Sequence, residues 1–131
     1  MTIDFPSLLI ADDDRDFRET LRDVFEPRGF RTFLAACGEE AVSIVREEEV
    51  HIALVDFHMP RLSGLETARE LRAHRDHLPC ILISAALDER IIAEAQEIPV
   101  FSVLSKPLGR AEVTETVCNA LRVFYDWTPL N

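Results

Sequence analysis

Polar side chains able to do chemistry stand directly after four of the apolar runs in this 131-residue sequence. They are Asp12, Asp13 and Asp14 after the first run, Asp56 after the third, Ser84 after the fourth and Lys106 at the end of the fifth. If the runs are parallel strands of one sheet, their carboxyl ends lie at one edge, where open α/β sheets bind ligands. The sequence therefore predicts one site with several carboxylates, a hydroxyl and an ammonium group.

The carboxylates of such a site repel one another unless a cation lies among them. Two carboxylates about 4 Å apart repel by roughly 4 kcal/mol at an effective dielectric constant of 20. Oxygen ligands without histidine or cysteine suit a hard cation, and a partial carboxylate shell suits Mg²⁺ with waters and a phosphoryl oxygen. The pattern indicates a Mg²⁺ site, with Lys106 neutralising further charge from the opposite side.

A metal-bound carboxylate beside a hydroxyl and a lysine is suited to phosphoryl transfer. An aspartate can act as the nucleophile and form an acyl phosphate. A metal ion and a lysine offset the charge that develops on the transferred group. Ser84 can then donate a hydrogen bond to a phosphoryl oxygen.

Five short apolar runs alternate with five stretches of helical periodicity along the chain. The predicted strands are Leu8 to Ala11, Arg31 to Ala35, Ile52 to Val55, Cys80 to Ile83 and Phe101 to Leu104. The helical stretches carry apolar residues three and four apart, and the one after the fourth strand is the least regular. Because the strands show no polar alternation, both sheet faces should be covered by helices. This pattern predicts an α/β fold with a doubly wound parallel sheet.

Length and composition narrow the class of protein. The chain has the size of one domain, and a formal net charge of −10 argues against direct binding to nucleic acid or to an anionic membrane. Its three cysteines are widely spaced, as in proteins of a reducing compartment. No apolar run approaches the roughly 18 residues of a membrane helix, and the N-terminus has no signal-peptide pattern. We expect a cytoplasmic protein.

Four segments of the sequence resemble the signature segments of one family. The strings LLIADDD, ALVDFHMPRLSGLE, ILISA and LSKPL are similar in order and spacing to those of response-regulator receiver domains, the CheY-like domains of bacterial two-component signalling. The resemblance extends over nearly the whole chain. It implies a signalling domain that catalyses only its own phosphorylation and dephosphorylation, rather than an enzyme with a separate substrate.

The resemblance also assigns roles to individual residues. Asp56 corresponds to the phosphorylated aspartate, and Asp12 and Asp13 to the acidic pair that binds Mg²⁺ together with Asp56. The backbone carbonyl of His58 would complete the metal ligands that the protein supplies. The remaining implied roles are a switch hydroxyl, a phosphoryl-binding lysine and a cis proline, held by Ser84, Lys106 and Pro107.

The same resemblance implies the strand order and the binding partners. It implies strand order 2-1-3-4-5, with a receiver domain over residues 1–125 and a tail over 126–131. The phosphoryl donor would be a sensor histidine kinase or a phosphotransfer protein. The phosphorylated domain would switch its binding to an effector protein or a fused output domain through the face of the fourth helix, fifth strand and fifth helix.

Some positions depart from the family pattern or leave their role open. Val103 stands where the family usually has an aromatic residue, and Phe101, expected on the same face, is a candidate to replace it. Without that replacement, the output would run through the loop after Ser84. Asp14 is expected to cap the first helix rather than bind metal. His51, His74 and His77 are expected at the surface. The side chain of His58 is interpreted as a surface group, with binding of a second metal ion or action as a base as the alternatives.

Three further alternatives remain open from the sequence. A degenerate receiver would keep the fold without being phosphorylated. A haloacid-dehalogenase-type phosphatase would use Asp12 as its nucleophile, but it would leave Asp56 without a role. The aromatic residues Phe124, Tyr125 and Trp127 near the C-terminus could pack against the last helix or form a homodimer surface.

Overall fold

The computed structural model describes residues 3–86 and 88–129, and it contains five strands and five α-helices within them. The strands are β1 (Ser7–Ala11), β2 (Arg31–Ala35), β3 (Ile52–Asp56), β4 (Cys80–Ser84) and β5 (Ser102–Ser105). The helices are α1 (Arg15–Phe25), α2 (Gly38–Glu47), α3 (Gly64–His74), α4 (Glu89–Ala95) and α5 (Arg110–Tyr125). A short 3₁₀ helix, Glu26–Arg28, follows α1.

All five strands form one parallel sheet in the order β2-β1-β3-β4-β5. The order reverses beside β1, since β2 lies on one side of β1 and β3 on the other. Side chains at the carboxyl ends of β1 and β3 therefore face the crevice that forms at such a switch point. The predicted doubly wound α/β fold and its strand order are confirmed.

Helices cover the sheet on both faces, which divides the hydrophobic core in two. One cluster packs α2, α3 and α4 against the sheet through residues such as Val45, Leu71 and Ala95. The other packs α1 and α5 against the opposite face through residues such as Phe25 and Leu121. The three central strands are buried along their whole length, as strands without polar alternation should be.

The predicted strand boundaries differ from the observed ones by a residue at several ends. Asp56 and Ser84 are the last residues of β3 and β4, rather than the first residues after them. Strand pairing therefore holds their backbones, because Asp56 is paired with Ile83 and Ser84 with Ser105. The two side chains therefore project from paired strand positions at the sheet edge.

Local capping explains where two of the helices begin. The Asp14 side chain accepts hydrogen bonds from the backbone N–H groups of Asp16 and Phe17, which confirms its predicted role as the cap of α1. At α3, Ser63 and Glu66 form a reciprocal capping box. This box lies at the end of the loop that joins Asp56 to α3.

The end of α5 packs against the amino edge of the sheet. The Tyr125 hydroxyl donates to the His51 backbone carbonyl at 2.7 Å, and the rings of Trp127 and Phe30 meet edge to face at 5.5 Å. These contacts favour packing over an open surface for Tyr125 and Trp127. Phe124 differs, since 41% of its surface is exposed.

The expectation that His51 lies at the surface is wrong. Its side chain is buried immediately before β3, where Nδ1 accepts the Ser7 N–H and Nε2 lies 3.0 Å from a Glu49 carboxylate oxygen. Burial is possible because both ring nitrogens have partners. This arrangement lies at the edge of the sheet opposite Asp56.

The length and composition of the helices bear on whether the described chain could cross a membrane. Within residues 3–86 and 88–129, none of the helices combines the length and apolar character that crossing a bilayer requires. Of the predicted tail 126–131, residues 130 and 131 lie outside the described part of the chain.

Candidate functional site

Asp12 forms the buried base of the site at the end of β1. Only 1% of its surface is exposed, and its two carboxylate oxygens have different partners. One oxygen accepts the Asp14 backbone N–H at 2.8 Å, and the other accepts the Lys106 ammonium at 2.8 Å. These charge-assisted hydrogen bonds offset the cost of burying the carboxylate.

Asp56 lies beside this pair at the end of β3 and is 4% exposed. One of its oxygens accepts the His58 backbone N–H at 3.3 Å, and the other lies 3.9 Å from the Lys106 nitrogen. Burial raises the pKa of Asp56 to about 6, and the negative charge of Asp12 adds to the rise, while Lys106 opposes it. Of the two buried carboxylates, Asp56 is thus the less compensated.

Lys106 reaches the site from the loop after β5. Burial disfavours its charge, but the hydrogen bond and charge of Asp12, helped by Asp56, leave the pKa of Lys106 raised. Its ammonium group also lies 4.2 Å from the centre of the Phe17 ring, a cation–π contact. The Lys106–Pro107 peptide bond is cis.

The carboxylates of Asp12, Asp13 and Asp56 can approach a common point. Each places an oxygen within 4.8 Å of an oxygen of the other two. An all-oxygen set of two buried and one exposed carboxylate fits a hard cation with room for water and a ligand oxygen. The backbone of His58 lies beside this group, because its N–H donates to Asp56.

Ser84 completes the site from the end of β4. Its side chain is fully buried, and its hydroxyl oxygen accepts the Ala86 backbone N–H at 3.1 Å. The His58 ring nitrogen Nε2 lies 3.3 Å from the same hydroxyl. The imidazole is therefore in contact with a buried polar group, which the interpretation of His58 as a surface side chain did not include.

Two site contacts were not predicted from the sequence. The Phe17 ring of α1 flanks the Lys106 ammonium. Arg18 donates to the Asp12 backbone carbonyl at 2.7 Å, which ties α1 to the end of β1. Neither role has a spacing signal, because both depend on how α1 crosses the sheet.

Phe101 does not share a face with Val103, so that expectation is wrong. Val103 packs against the cluster under α2, α3 and α4, while Phe101 packs with the opposite cluster. The Phe101 ring meets Phe124 of α5 edge to face at 6.1 Å. The pleat alternation used for the expectation fails because Phe101 precedes Ser102, the first residue of β5.

Comparison with known proteins identifies the family to which the chain belongs. The family described as response regulator receiver domain matches residues 8–118. Sporulation initiation phosphotransferase F of Bacillus subtilis is 29% identical over 110 residues, covering 84% of this chain and 89% of that protein. Regulatory protein AtoC of Escherichia coli is 29% identical over 116 residues, covering 88% of this chain. This chain spans only 25% of AtoC.

A solved structure has the same fold as this chain. The CheY-like response regulator receiver domain protein of Methanospirillum hungatei JF-1 superposes with a TM-score of 0.89. It shares 19% sequence identity, and the match covers 93% of this chain and 98% of the other, which shows a common fold. With the family match over most of its length, the chain belongs to the response regulator receiver domains of two-component signalling.

Proposed function

We propose that Asp56 is the phosphoacceptor of this receiver domain and that phosphorylation there switches its partner binding. The observation that carries the proposal is the position of Asp56 within the charge cluster. It is buried and lacks a close ion-pair partner, since the Lys106 nitrogen is 2.8 Å from Asp12 but 3.9 Å from Asp56. An Asp56 oxygen is therefore the carboxylate oxygen best placed to attack an incoming phosphorus atom.

The proposed reaction is transfer from a phosphohistidine of a sensor kinase or phosphotransfer protein. An Asp56 oxygen forms the new O–P bond while the donor P–N bond breaks, and the donor nitrogen keeps the electron pair. Hydrolysis of the resulting acyl phosphate by water returns the carboxylate and inorganic phosphate. In this proposal the domain catalyses only these two reactions on its own side chain.

The donor set of Asp12, Asp13, Asp56 and the His58 carbonyl would hold Mg²⁺. When bound, Mg²⁺ would offset negative charge on the transferred group. Asp12 also orients Lys106 through their 2.8 Å hydrogen bond, so the ammonium group is positioned beside the place where a phosphoryl oxygen would lie. Ser84 would donate to another phosphoryl oxygen after transfer, which links phosphorylation to the end of β4.

Measuring intact mass after incubation with Mg²⁺ and acetyl phosphate tests the phosphoacceptor role. The native chain should gain one phosphoryl group, the gain should be suppressed by EDTA, and Asp56→Asn should show none. Asp13→Asn is expected to reduce the gain by weakening the metal site without removing the nucleophile. A gain that persists in Asp56→Asn would place the nucleophile elsewhere, as the phosphatase alternative requires. No gain in a folded native chain would favour a degenerate receiver or a donor restricted to its kinase.

Partner binding is proposed at the face formed by α4, β5 and α5. The partner would be an effector protein or a fused output domain, the latter suggested by the longer relative AtoC. Exposed Ile92 and Phe124 leave apolar area on α4 and α5, which would suit either partner or a homodimer. Direct nucleic-acid binding is not proposed, because the chain carries a formal net charge of −10.

The remaining proposals concern boundaries and location. The receiver unit is proposed to span residues 1–125, followed by a tail over 126–131, although Trp127 contacts the domain through Phe30. A cytoplasmic location is proposed because Cys37, Cys80 and Cys118 are free thiols, as in proteins of a reducing compartment.

A further inference from the structure

The Ser84 hydroxyl has two neighbours in the structure, and each uses a different part of the group. The Ala86 backbone N–H points at its oxygen, so that contact uses a lone pair. The His58 Nε2 atom lies 3.3 Å away, and in the tautomer that carries its proton on Nδ1 it accepts the hydroxyl proton. A hydroxyl carries a single proton, so it can serve only one acceptor at a time.

This single proton is also what the proposed function requires. Ser84 would have to donate it to a phosphoryl oxygen on Asp56 once transfer has occurred. The hydroxyl is fully buried, so water is a poor replacement for either acceptor. Formation of the phosphoryl contact therefore requires loss of the His58 contact.

The position of His58 makes this exchange specific. Its backbone N–H donates to Asp56 while its ring reaches Ser84 of the neighbouring strand, so one residue contacts both the acceptor and the hydroxyl. The ring also meets Phe57 edge to face at 5.1 Å, which restricts its orientation. Its outer surface stays exposed, so the ring can leave without opening the core.

We propose that His58 is a positioning residue whose imidazole holds the Ser84 hydroxyl in the unphosphorylated protein and competes with the phosphoryl group for it. The proposal rests on the phosphoacceptor role of Asp56. It assigns the His58 side chain a function in the switch equilibrium. This function concerns which acceptor the Ser84 hydroxyl contacts. It is separate from any effect of the His58 side chain on how water reaches the acyl phosphate, because it acts even where no hydrolysis takes place.

The competition can be measured with beryllofluoride, a phosphoryl analogue that does not transfer or hydrolyse. In saturating Mg²⁺, ¹⁹F NMR gives the dissociation constant of beryllofluoride for each variant. His58→Ala should tighten binding about three- to tenfold, the range of one net hydrogen bond. His58→Gln, which retains an acceptor, should stay near the native value. The matched control is His74→Ala, an exposed histidine at the end of α3.

A double-mutant cycle with Ser84→Ala isolates the pair. In the Ser84→Ala background, His58→Ala should leave beryllofluoride affinity unchanged, because the hydroxyl that the two acceptors share is gone. An equal tightening in both backgrounds would overturn the proposal and indicate a general effect of removing the ring. Unchanged affinity in His58→Ala alone would overturn it as well.

A metal-free measurement provides a second readout. The ¹⁵N shifts of the His58 imidazole should show Nε2 as a hydrogen-bond acceptor in the native protein and lose that signature in Ser84→Ala. Identical shifts in the two proteins would contradict the contact. Failure of the native protein to bind beryllofluoride would reject the phosphoacceptor role and the competition together, whereas binding without coupling to Ser84 would reject this inference alone.

Discussion

The ionisation of Asp56 is controlled by its neighbours at the carboxyl edge of the sheet. Burial raises the pKa of its carboxyl group from 3.8 to about 6, and Asp12 contributes further in the same direction. Lys106 relieves this only partly, because its closer partner is Asp12. Without a metal ion, the charge of Asp56, the proposed nucleophile, lowers the folding stability, and a bound cation would reduce that loss.

Replacing Asp56 by asparagine should stabilise the metal-free protein at neutral pH. Since the folded-state pKa exceeds the unfolded one, stability from this group is complete below pH 3.8 and is lost as the pH rises through about 6. Asp56→Asn avoids that loss, so its free energy of unfolding at pH 7.5 in EDTA should exceed the native value by up to about 3 kcal/mol. Urea unfolding at pH 7.5 and at pH 4 measures the gain, which should be much smaller at pH 4.

Exposed Asp76 offers a matched control, because Asp76→Asn removes the same charge far from Lys106. Its stability should stay within about 0.5 kcal/mol of the native protein at both pH values. Mg²⁺ should narrow the gap between Asp56→Asn and the native chain. Equal or lower stability of metal-free Asp56→Asn at pH 7.5 would contradict the proposed balance of charges.

At the scale of elements, the loop between β3 and α3 determines where the backbone after Asp56 lies. The Gly64 N–H donates to the Phe57 carbonyl at 2.9 Å, so the first turn of α3 packs directly on this backbone. A Cβ at Gly64 would overlap the Asp56 carbonyl oxygen and lie 2.5 Å from the Phe57 Cα. Both neighbours are backbone atoms of the site, so neither can move aside as a flexible side chain could.

Gly64→Ala should therefore lower the stability of the protein and disturb the proposed metal site. We expect a loss of about 1–3 kcal/mol in the free energy of unfolding, the usual cost of overpacking. Mg²⁺ affinity should fall as well, because displacement of the chain after Asp56 moves the His58 carbonyl. Urea unfolding and a Mg²⁺ titration followed by NMR measure the two effects.

Gly109 provides the control for this substitution, since it lies at the start of α5 and a Cβ there meets nothing within 4 Å. Gly109→Ala should cost no more than about 1 kcal/mol, because glycine is preferred to alanine at a helix N-cap, and it should leave Mg²⁺ affinity unchanged. Native Mg²⁺ affinity in Gly64→Ala would show that the loop adapts without moving the site. Equal stability losses in the two variants would show that the clash with the Asp56 backbone is not the cause.

At the scale of the molecule, the two edges of the sheet carry different groups. The carboxyl edge holds Asp12, Asp56 and Ser84, while the amino edge holds the contacts of His51 with Tyr125 and of Phe30 with Trp127. Strand β3 separates them, and four residue steps of a strand extend about 13 Å. The end of α5 is thus attached to the part of the fold farthest from the proposed phosphoryl group.

The fluorescence of Trp127, the single tryptophan of the chain, should consequently change little on adding Mg²⁺ and beryllofluoride. Its ring is held by Phe30 at the amino edge, where no metal ligand lies among the described residues. Phe30→Leu should alter the emission of the unliganded protein, which verifies that the probe reports this contact. A large change on beryllofluoride binding to the native chain would instead show that switching reaches the end of α5.

The sequence alone predicted the fold class and the polar residues that meet at the carboxyl edge of the sheet. Apolar runs without alternation required a sheet covered on both faces, and parallel strands bring their carboxyl ends to one edge. Asp12, Asp56, Ser84 and Lys106 could therefore be grouped from their places in the runs. The cap at Asp14 was equally predictable, because capping depends on residues within one helical turn.

Only the tertiary structure decided which groups in the site contact one another. Lys106 could have paired with either carboxylate, and a difference of about an ångström in favour of Asp12 leaves Asp56 the less compensated. Two further contacts also join residues far apart in the chain. His58 contacts Ser84, and buried His51 accepts a hydrogen bond from Ser7. Periodicity reports which face of its own element a residue occupies, whereas these distances depend on how separate elements pack.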